Sequence, residues 1–142
     1  MISKVFLDSD VILDVATGRE PFFEASQAVL GLAEAGAFQA FTSPNSITNI
    51  YYVYKKLASA PEAKSFIRDL VQIVEVAGVN KDVIEEALES KFFDFEDSVQ
   101  HFCAKRRRCD FLVTRNSKDY SFSEVQIVEP KEFVLLYTNP ST

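Results

Sequence analysis

The clearest pattern near the start of the chain is an apolar run that stops at a carboxylate. Val5, Phe6 and Leu7 are apolar, and Asp8 follows them directly. Such a run is typical of a strand that is buried on both faces, as in parallel sheets covered by helices. Ligands bind beyond the carboxyl ends of these strands, so Asp8 is a candidate site residue, with Asp10 and Asp14 in the turn behind it. The alternative is that Asp8 only caps that turn.

The rest of the chain alternates between short apolar runs and segments whose apolar residues recur at helical spacing. The runs predict strands at residues 37–42, 73–76, 111–114 and 125–128. Helices are predicted to begin at residues that favour helix N-termini, which are Pro21, Ser43, Pro61, Asn80, Asp94 and Pro130. This alternation predicts an α/β fold, a three-layer sandwich around a central parallel sheet of about five strands. It does not give the order of the strands.

Length and composition narrow the class of protein. The 142 residues, 47% of them hydrophobic, predict a single domain over residues 1–142. The chain has no apolar run of about 18 residues, so we expect no membrane span. Acids within the first ten positions do not match a secretory signal peptide, and two cysteines without a metal-binding spacing fit a reducing compartment, so we expect a cytoplasmic protein. A net charge of −6 argues against a non-specific nucleic-acid binder but not against a nuclease with an acidic site.

Three polar clusters follow predicted strands or begin predicted helices, at residues 8–10, 96–97 and 116–119. Carboxylates that meet at one sheet edge repel each other unless a cation lies between them. Oxygen ligands suit Mg²⁺ or Mn²⁺, which can activate water and polarise a phosphoryl oxygen. Metal-assisted phosphodiester hydrolysis is therefore the predicted reaction class. Acids at residues 96–97 could instead serve only the dipole of their helix.

Other reaction classes find less support in the sequence. His101 is the one histidine, and a packed or surface role fits it better than a catalytic one. Asp8 and Asp10 also resemble the Asp-x-Asp of haloacid-dehalogenase phosphatases, in which the first Asp is a nucleophile and the second an acid. The later elements that those enzymes need are poorly matched by Asn116 and Asp119. This phosphatase stays an alternative.

Four segments together resemble the PIN-domain endoribonucleases, in the group that contains the toxins of bacterial toxin–antitoxin pairs. The segments are residues 6–14, 46–53, 94–98 and 112–120, in the family's order. The resemblance implies a PIN-like fold, hydrolysis of RNA, Mg²⁺ or Mn²⁺ as cofactor, and an antitoxin protein as a partner. A PIN-like module that binds RNA or protein without cutting is a further alternative.

The resemblance also assigns residues one by one. Asp8 matches the family's first metal-binding acid, Asp97 the acid before the fourth strand, and Asp119 the acid of an Asp-aromatic pair. Asn49 stands where the family commonly has Glu, and Asn116 stands where it often has Asp. Because these two positions lack charge, we expect weak metal binding that Asn49→Glu or Asn116→Asp would tighten if the side chains face Asp8 and Asp97.

The resulting hypothesis names four groups of residues. The catalytic set is Asp8, Asp97, Asn116 and Asp119, of which Asp8, Asp97 and Asp119 hold metal. Asn49, Thr114 and Ser9 orient ligands, water or phosphate. Arg115, Lys118 and Lys105, with the basic run at residues 105–108, attract the RNA backbone. A surplus of aromatic residues predicts a homodimer, and these are Phe22, Phe23, Tyr51, Tyr52 and Tyr54.

Overall fold

The computed structural model describes residues 3–138, so both ends of the predicted domain, residues 1–2 and 139–142, lie outside the described part. The strands are β1 (Lys4–Leu7), β2 (Gln39–Thr42), β3 (Val74–Val76), β4 (Phe111–Val113) and β5 (Gln126–Val128). The helices are α1 (Ser9–Thr17), α2 (Phe23–Glu34), α3 (Pro44–Leu57), α4 (Ala60–Leu70), α5 (Lys81–Glu89), α6 (Phe95–Arg106) and α7 (Pro130–Thr138). A short 3₁₀ turn covers Ser117–Tyr120. Within residues 3–138, every helix is too short or too polar to cross a membrane.

The strands form one parallel sheet in the order β3-β2-β1-β4-β5, which confirms the predicted fold class. Phe6 of β1 pairs with Phe41 of β2 on one side and with Leu112 of β4 on the other. The chain builds one half of the sheet outward from β1 and then crosses back to build the other half. The carboxyl ends of β1 and β4 therefore lie side by side where the chain reverses direction, which is the usual place for a site in such sheets.

The two faces of the sheet are covered by different helices. Val5 and Leu7 pack into an apolar cluster with residues of α1, α2, α3, α4 and α7. Phe6 points to the opposite face, where it packs with Cys103 of α6. Successive side chains of a strand point to opposite faces, so both faces of β1 are buried. The result is the predicted three-layer sandwich.

The segment that follows β1 is a helix, so the prediction of a turn there is wrong. Asp8 has an extended backbone and accepts a hydrogen bond from the backbone N–H of Ser9, and Gly18 ends the helix at a positive φ of 62°. Val11 and Ile12 are fully buried in the core. Their burial stabilises the helix, which was not evident from the sequence because only Asp8 separates its apolar residues from the run of β1. Asp10 consequently lies in the first turn of α1 and Asp14 one turn later.

The predicted helix starts are otherwise close to the observed ones. Ser43 and Asp94 cap α3 and α6, because each side chain accepts a hydrogen bond from a backbone N–H of the first turn. The helix predicted from Pro21 begins two residues later, at Phe23. The N-termini of α3 and α6 lie at the same edge as the end of β1, since the Ser43 hydroxyl donates to Gln100 of α6 and Gln100 in turn donates to Asp8.

Candidate active site at the centre of the sheet edge

Asp8 is at the centre of a buried hydrogen-bond network at the carboxyl end of β1. Its Oδ1 accepts from the Ser9 backbone N–H and from Gln100 Nε2, each at 2.7 Å. Its Oδ2 accepts from Thr114 Oγ1 at 2.9 Å and from the Tyr120 hydroxyl at 3.1 Å. Burial raises the pKa of Asp8, and the four donors offset only part of that effect. The carboxylate is therefore held in a defined position at a cost in desolvation free energy.

Thr114 and Asn116, which follow β4, connect Asp8 with Asp10. The Thr114 hydroxyl is 2.9 Å from Asp8 Oδ2 and 3.3 Å from Asp10 Oδ2, and it accepts a hydrogen bond from the Asn116 backbone N–H. The Asn116 side chain donates from Nδ2 to Asp10 Oδ2 at 2.7 Å. Asn116 thus faces Asp10, an acid that the sequence hypothesis did not include among the site residues.

Asp97, in the first turn of α6, reaches the same centre through Tyr120. The Tyr120 hydroxyl is 3.1 Å from Asp8 Oδ2 and 3.4 Å from Asp97 Oδ1, so it lies between the two carboxylates. Desolvation and the nearby charge of Asp8 raise the pKa of Asp97 to about 7. The same two causes raise the pKa of Asp10 to about 7. Three carboxyl groups are therefore crowded enough to resist ionising together.

The donors at this centre fit a hard divalent cation in chemistry and charge. The side chains of this centre offer carboxylate, amide and hydroxyl oxygens, which are the ligands that Mg²⁺ and Mn²⁺ prefer. Asp10 Oδ1 is buried and has no hydrogen-bond partner within residues 3–138. A bound cation would reduce the repulsion between the carboxylates and would give Asp10 Oδ1 a partner. Within the same residues, no three carboxylate, imidazole or thiol side chains already surround a common point.

Gln100 and Tyr120 are site residues that the sequence analysis missed. Gln100 lies one turn after Asp97 on the same helix, at a spacing that places both on one face. Tyr120 is the aromatic member of the Asp-aromatic pair that was noted only for Asp119. Both side chains are buried, although glutamine is ordinarily exposed. A polar residue in the otherwise apolar stripe of α6 was the available signal.

Arg115 is committed to an internal ion pair. Its Nε is 2.8 Å from Asp14 Oδ2 and its Nη2 is 3.1 Å from Asp14 Oδ1, a two-pronged contact. The Asp14 side chain is 1% exposed. The guanidinium carbon also lies 4.2 Å above the ring of Phe22. This arrangement ties α1 to the loop after β4 and leaves Arg115 little freedom to contact RNA, so that role stays a prediction.

The other residues of the hypothesis lie around the centre with fewer contacts. Asp119 is exposed in the 3₁₀ turn, and its charge contributes to raising the pKa of Asp97. Lys118 is exposed, whereas Lys105 pairs with Glu124 at 2.9 Å. Asn49 is half-buried on α3 and makes no side-chain hydrogen bond within residues 3–138. Ser9 contacts Asp8 through its backbone N–H.

His101 has a packing role, as the sequence analysis favoured. It is fully buried, and its Nε2 accepts a hydrogen bond from the Glu124 backbone N–H at 2.9 Å. Its ring lies 4.8 Å from the ring of Phe92. Burial lowers the pKa of His101 to about 4, so the imidazole is neutral at physiological pH. Within residues 3–138, its ring nitrogens form no hydrogen bond with the acidic centre.

The fold and the site define a class of protein. It is an α/β protein with a group of carboxylate, amide and hydroxyl oxygens at the sheet edge, between β1 and β4, where the chain reverses direction. The family model described as "PIN domain" matches residues 4–118. The chain is also 31% identical over 135 residues to Ribonuclease VapC1 of Aquifex aeolicus (strain VF5), with 92% of each sequence covered. The chain therefore belongs to the PIN-domain family, which confirms the resemblance found in the sequence.

Solved structures share this fold at low sequence identity. A chain from the structure of DNA-bound VapBC from Salmonella typhimurium matches with a TM-score of 0.69 at 13% identity, covering 92% of this chain and 99% of that one. A chain from a toxin–antitoxin complex of Klebsiella pneumoniae matches with a TM-score of 0.68 at 20% identity, covering 89% and 97%. These likenesses support the α/β sandwich.

Family membership disfavours the phosphatase alternative. The PIN-domain family model covers residues 4–118, which include the Asp-x-Asp of Asp8 and Asp10.

Proposed function

We propose that this chain is a divalent-metal-dependent endoribonuclease that hydrolyses RNA phosphodiester bonds and acts as the toxin of a toxin–antitoxin pair. The observation that carries the proposal is the meeting of Asp8 with Asp97, through Tyr120, at the sheet edge of a PIN-domain chain. The similarity to Ribonuclease VapC1 over nearly the whole length supports RNA as the substrate. One domain over residues 1–142 and a cytoplasmic location belong to the same proposal.

Asp8, Asp97 and Asp119 would hold Mg²⁺ or Mn²⁺. When bound, such an ion polarises a phosphoryl oxygen and lowers the pKa of its water. Asp8 is fixed by four donors, so its carboxylate needs little reorganisation. Thr114 orients Asp8, while Asn116 and Asn49 supply amide groups that can orient water or phosphate. Ser9 contributes its backbone N–H.

RNA would be attracted by lysines and arginines, of which Lys118 lies at this edge, whereas Lys105 and Arg106 lie in the last turn of α6, at the far end of that helix from Asp97. Lys118 is exposed in the turn that also carries Asp119, so it can approach a phosphate beside the acidic centre. Lys105 and Arg106 form ion pairs with Glu124 and Glu86, which RNA phosphates would have to displace. Phosphate contacts of this kind weaken as salt concentration rises.

An antitoxin protein is the proposed protein partner. Structures with this fold include chains from complexes described as VapBC, FitAB and toxin–antitoxin assemblies. A gene for a small protein next to the gene for this chain would support this part of the proposal. Growth arrest on expression, relieved by co-expression of that neighbour, is the corresponding cellular test.

The enzymatic proposal is tested with a panel of end-labelled RNAs, incubated with the purified chain in Mg²⁺, Mn²⁺ or EDTA. We expect cleavage only with metal and none with Asp8→Asn. The amide of that variant keeps acceptors for Ser9 and Gln100 and removes a buried charge, so unfolding in EDTA should require at least as much heat as for the parent. Asp110→Asn is the matched control, because Asp110 is exposed and lies before β4 at the opposite end of the strand.

The outcomes separate the alternatives. Metal-dependent RNA binding without cleavage would favour the binding module over the enzyme. Turnover of a generic phosphomonoester would favour the phosphatase. A large loss of thermal stability in Asp8→Asn would show that Asp8 is needed mainly for folding.

A further inference from the structure

The asparagine at position 116 is hydrogen-bonded to Asp10, a carboxylate that is not among the metal ligands assigned above. Asn116 Nδ2 lies 2.7 Å from Asp10 Oδ2, and the Thr114 hydroxyl lies 3.3 Å from the same oxygen. Both groups therefore hold one oxygen of Asp10. Position 116 has no charged side chain, but its hydrogen-bond partner, Asp10, has a carboxylate.

The other oxygen of Asp10 has no such support. Oδ1 is shielded from solvent and has no hydrogen-bond partner within residues 3–138. A buried carboxylate oxygen without a donor costs free energy unless a proton or a cation occupies it. Arg115 could have supplied the positive charge, but both of its prongs are on Asp14. Asp10 consequently forms no ion pair within the described residues.

Asp10 also shares a donor with the central acid. Thr114 Oγ1 is within hydrogen-bond distance of one oxygen of Asp8 and one of Asp10, although it has a single proton to donate. The two carboxylates are thus held on either side of one hydroxyl. Two anions this close gain from a shared cation.

We propose that Asp10 is a metal-ligating carboxylate of this centre through Oδ1, and that Asn116 is the positioning residue that orients it. The inference rests on the proposed metal-dependent function. It changes the expectation for Asn116→Asp, because Asn116 faces Asp10 rather than Asp8 and Asp97. That substitution alone would place two carboxylates in contact and remove the donor that holds Asp10.

Exchanging the two residues tests the proposal without changing the charge. Mn²⁺ is titrated by calorimetry into the full-length parent, Asp10→Asn, the exchanged double variant Asp10→Asn/Asn116→Asp, and the control Asp110→Asn. We expect Asp10→Asn to lower Mn²⁺ affinity at least tenfold. The exchanged variant should regain most of it, because one carboxylate again faces one amide. Asp110→Asn should bind Mn²⁺ like the parent. Melting each protein in EDTA checks that it is folded.

Two results would overturn the proposal. Parent-like Mn²⁺ affinity in Asp10→Asn, with a higher melting temperature, would show that a proton neutralises Asp10. An exchanged variant as weak as Asp10→Asn would show that the pair does not act as a unit.

RNA cleavage is measured separately, so failure of the proposed function is distinguishable. Mn²⁺ binding that depends on Asp10 in a chain that cleaves no RNA would leave the metal inference standing and remove the nuclease. Metal-dependent cleavage with unchanged Mn²⁺ affinity in Asp10→Asn would do the reverse.

Discussion

Individual carboxyl groups at the sheet edge are held in environments that oppose their ionisation. Asp8 forms no ion pair within residues 3–138, and its negative charge is supported by neutral donors alone. Asp10 and Asp97 both have pKa values raised to about 7, first by desolvation and then by the charge of Asp8. The free energy of unfolding of the metal-free protein must therefore depend on pH.

The sign of that dependence follows from the raised pKa values. Between about pH 4 and 7 the folded chain keeps protons on Asp10 and Asp97 that the unfolded chain releases. Stability in EDTA should consequently fall as pH rises through 7. Burial of neutral His101, with a pKa lowered to about 4, acts in the opposite direction below about pH 6.5. Burial also raises the pKa of the Cys103 and Cys109 thiols, which lowers stability further above about pH 8. The window from about pH 6.5 to 7.5 therefore isolates the carboxyl groups.

Urea unfolding in EDTA across that window is the measurement, with Asp97→Asn as the comparison. The parent should lose stability toward pH 7.5, and the variant should lose less because one titrating group is gone. A parent whose unfolding midpoint is independent of pH would contradict the crowding of these acids.

At the scale of secondary-structure elements, Gln100 joins the pieces that form the site. Its Nε2 donates to Asp8 at the end of β1, and its Oε1 accepts from Ser43 and Ser46 at the start of α3, at 2.6 and 2.9 Å. Since all four residues are buried, each lost partner leaves an unsatisfied polar group. This one side chain therefore sets the distance between α6, α3 and Asp8.

We expect Gln100→Met to lower the free energy of unfolding by about 1–3 kcal/mol and to reduce RNA cleavage, because Asp8 loses a donor. Gln39→Met is the control. Gln39 also hydrogen-bonds through its side chain, to Glu75, but that pair is exposed. In urea unfolding and in RNA cleavage rate, the control Gln39→Met should be close to the parent. Equal effects in the two variants would show that the buried network does not position the site.

The Arg115 pair acts between elements in the same way. Removing the guanidinium would leave Asp14 buried and unpaired, so Arg115→Ala should cost about 3–5 kcal/mol in unfolding free energy.

Lys118→Ala, at an exposed position two residues from the 3₁₀ turn's end, should leave stability unchanged and weaken RNA binding. Binding is measured in proteins that also carry Asp8→Asn, so that the RNA is not cleaved. Fluorescence anisotropy at several salt concentrations measures the binding. A stable Arg115→Ala variant with weaker RNA binding would restore the original role of Arg115.

At the scale of the whole molecule, exposed apolar groups at the end of α3 suggest where two chains could meet. Tyr52 and Leu57 are 65% and 68% exposed. They line a shallow cavity of about 640 Å³ together with Val53, Lys55 and Lys56. Of the aromatic residues in the dimer prediction, Phe22 is instead covered by Arg115, and Tyr54 packs on Phe66. The homodimer stays a prediction, now centred on Tyr52 and Leu57.

Sedimentation velocity at tens of micromolar, roughly the range in which weak dimers form, tests this prediction. The parent should sediment as a dimer, and Leu57→Glu should sediment as a monomer. Leu88→Glu, on α5, is the control because Leu88 is also 65% exposed. A monomeric parent, or a dimer that tolerates Leu57→Glu, would place the interface elsewhere or remove it.

The sequence by itself determined the fold class and the positions of most elements. A buried strand needs a continuous apolar run, and a helix N-terminus needs a residue that can accept from its free N–H groups; both requirements act over a few neighbouring residues. Asp8 and Asp97 could be found for the same reason. Asp8 directly follows a strand and Asp97 begins a helix, so the topology of a parallel sheet brings them together, whereas Thr114 was assigned only through the PIN-domain resemblance.

The tertiary structure alone decided strand order, helix α1, and the partners of each polar side chain. The sequence shows Asp10, Asn116 and Arg115 as three polar residues near the site, without showing that Asn116 binds Asp10 while Arg115 binds Asp14. Those pairings join residues that are 101 and 106 positions apart in the sequence. They depend on how β1 and β4 are placed side by side, and local propensity carries no information about that placement because it arises from packing of the whole sheet.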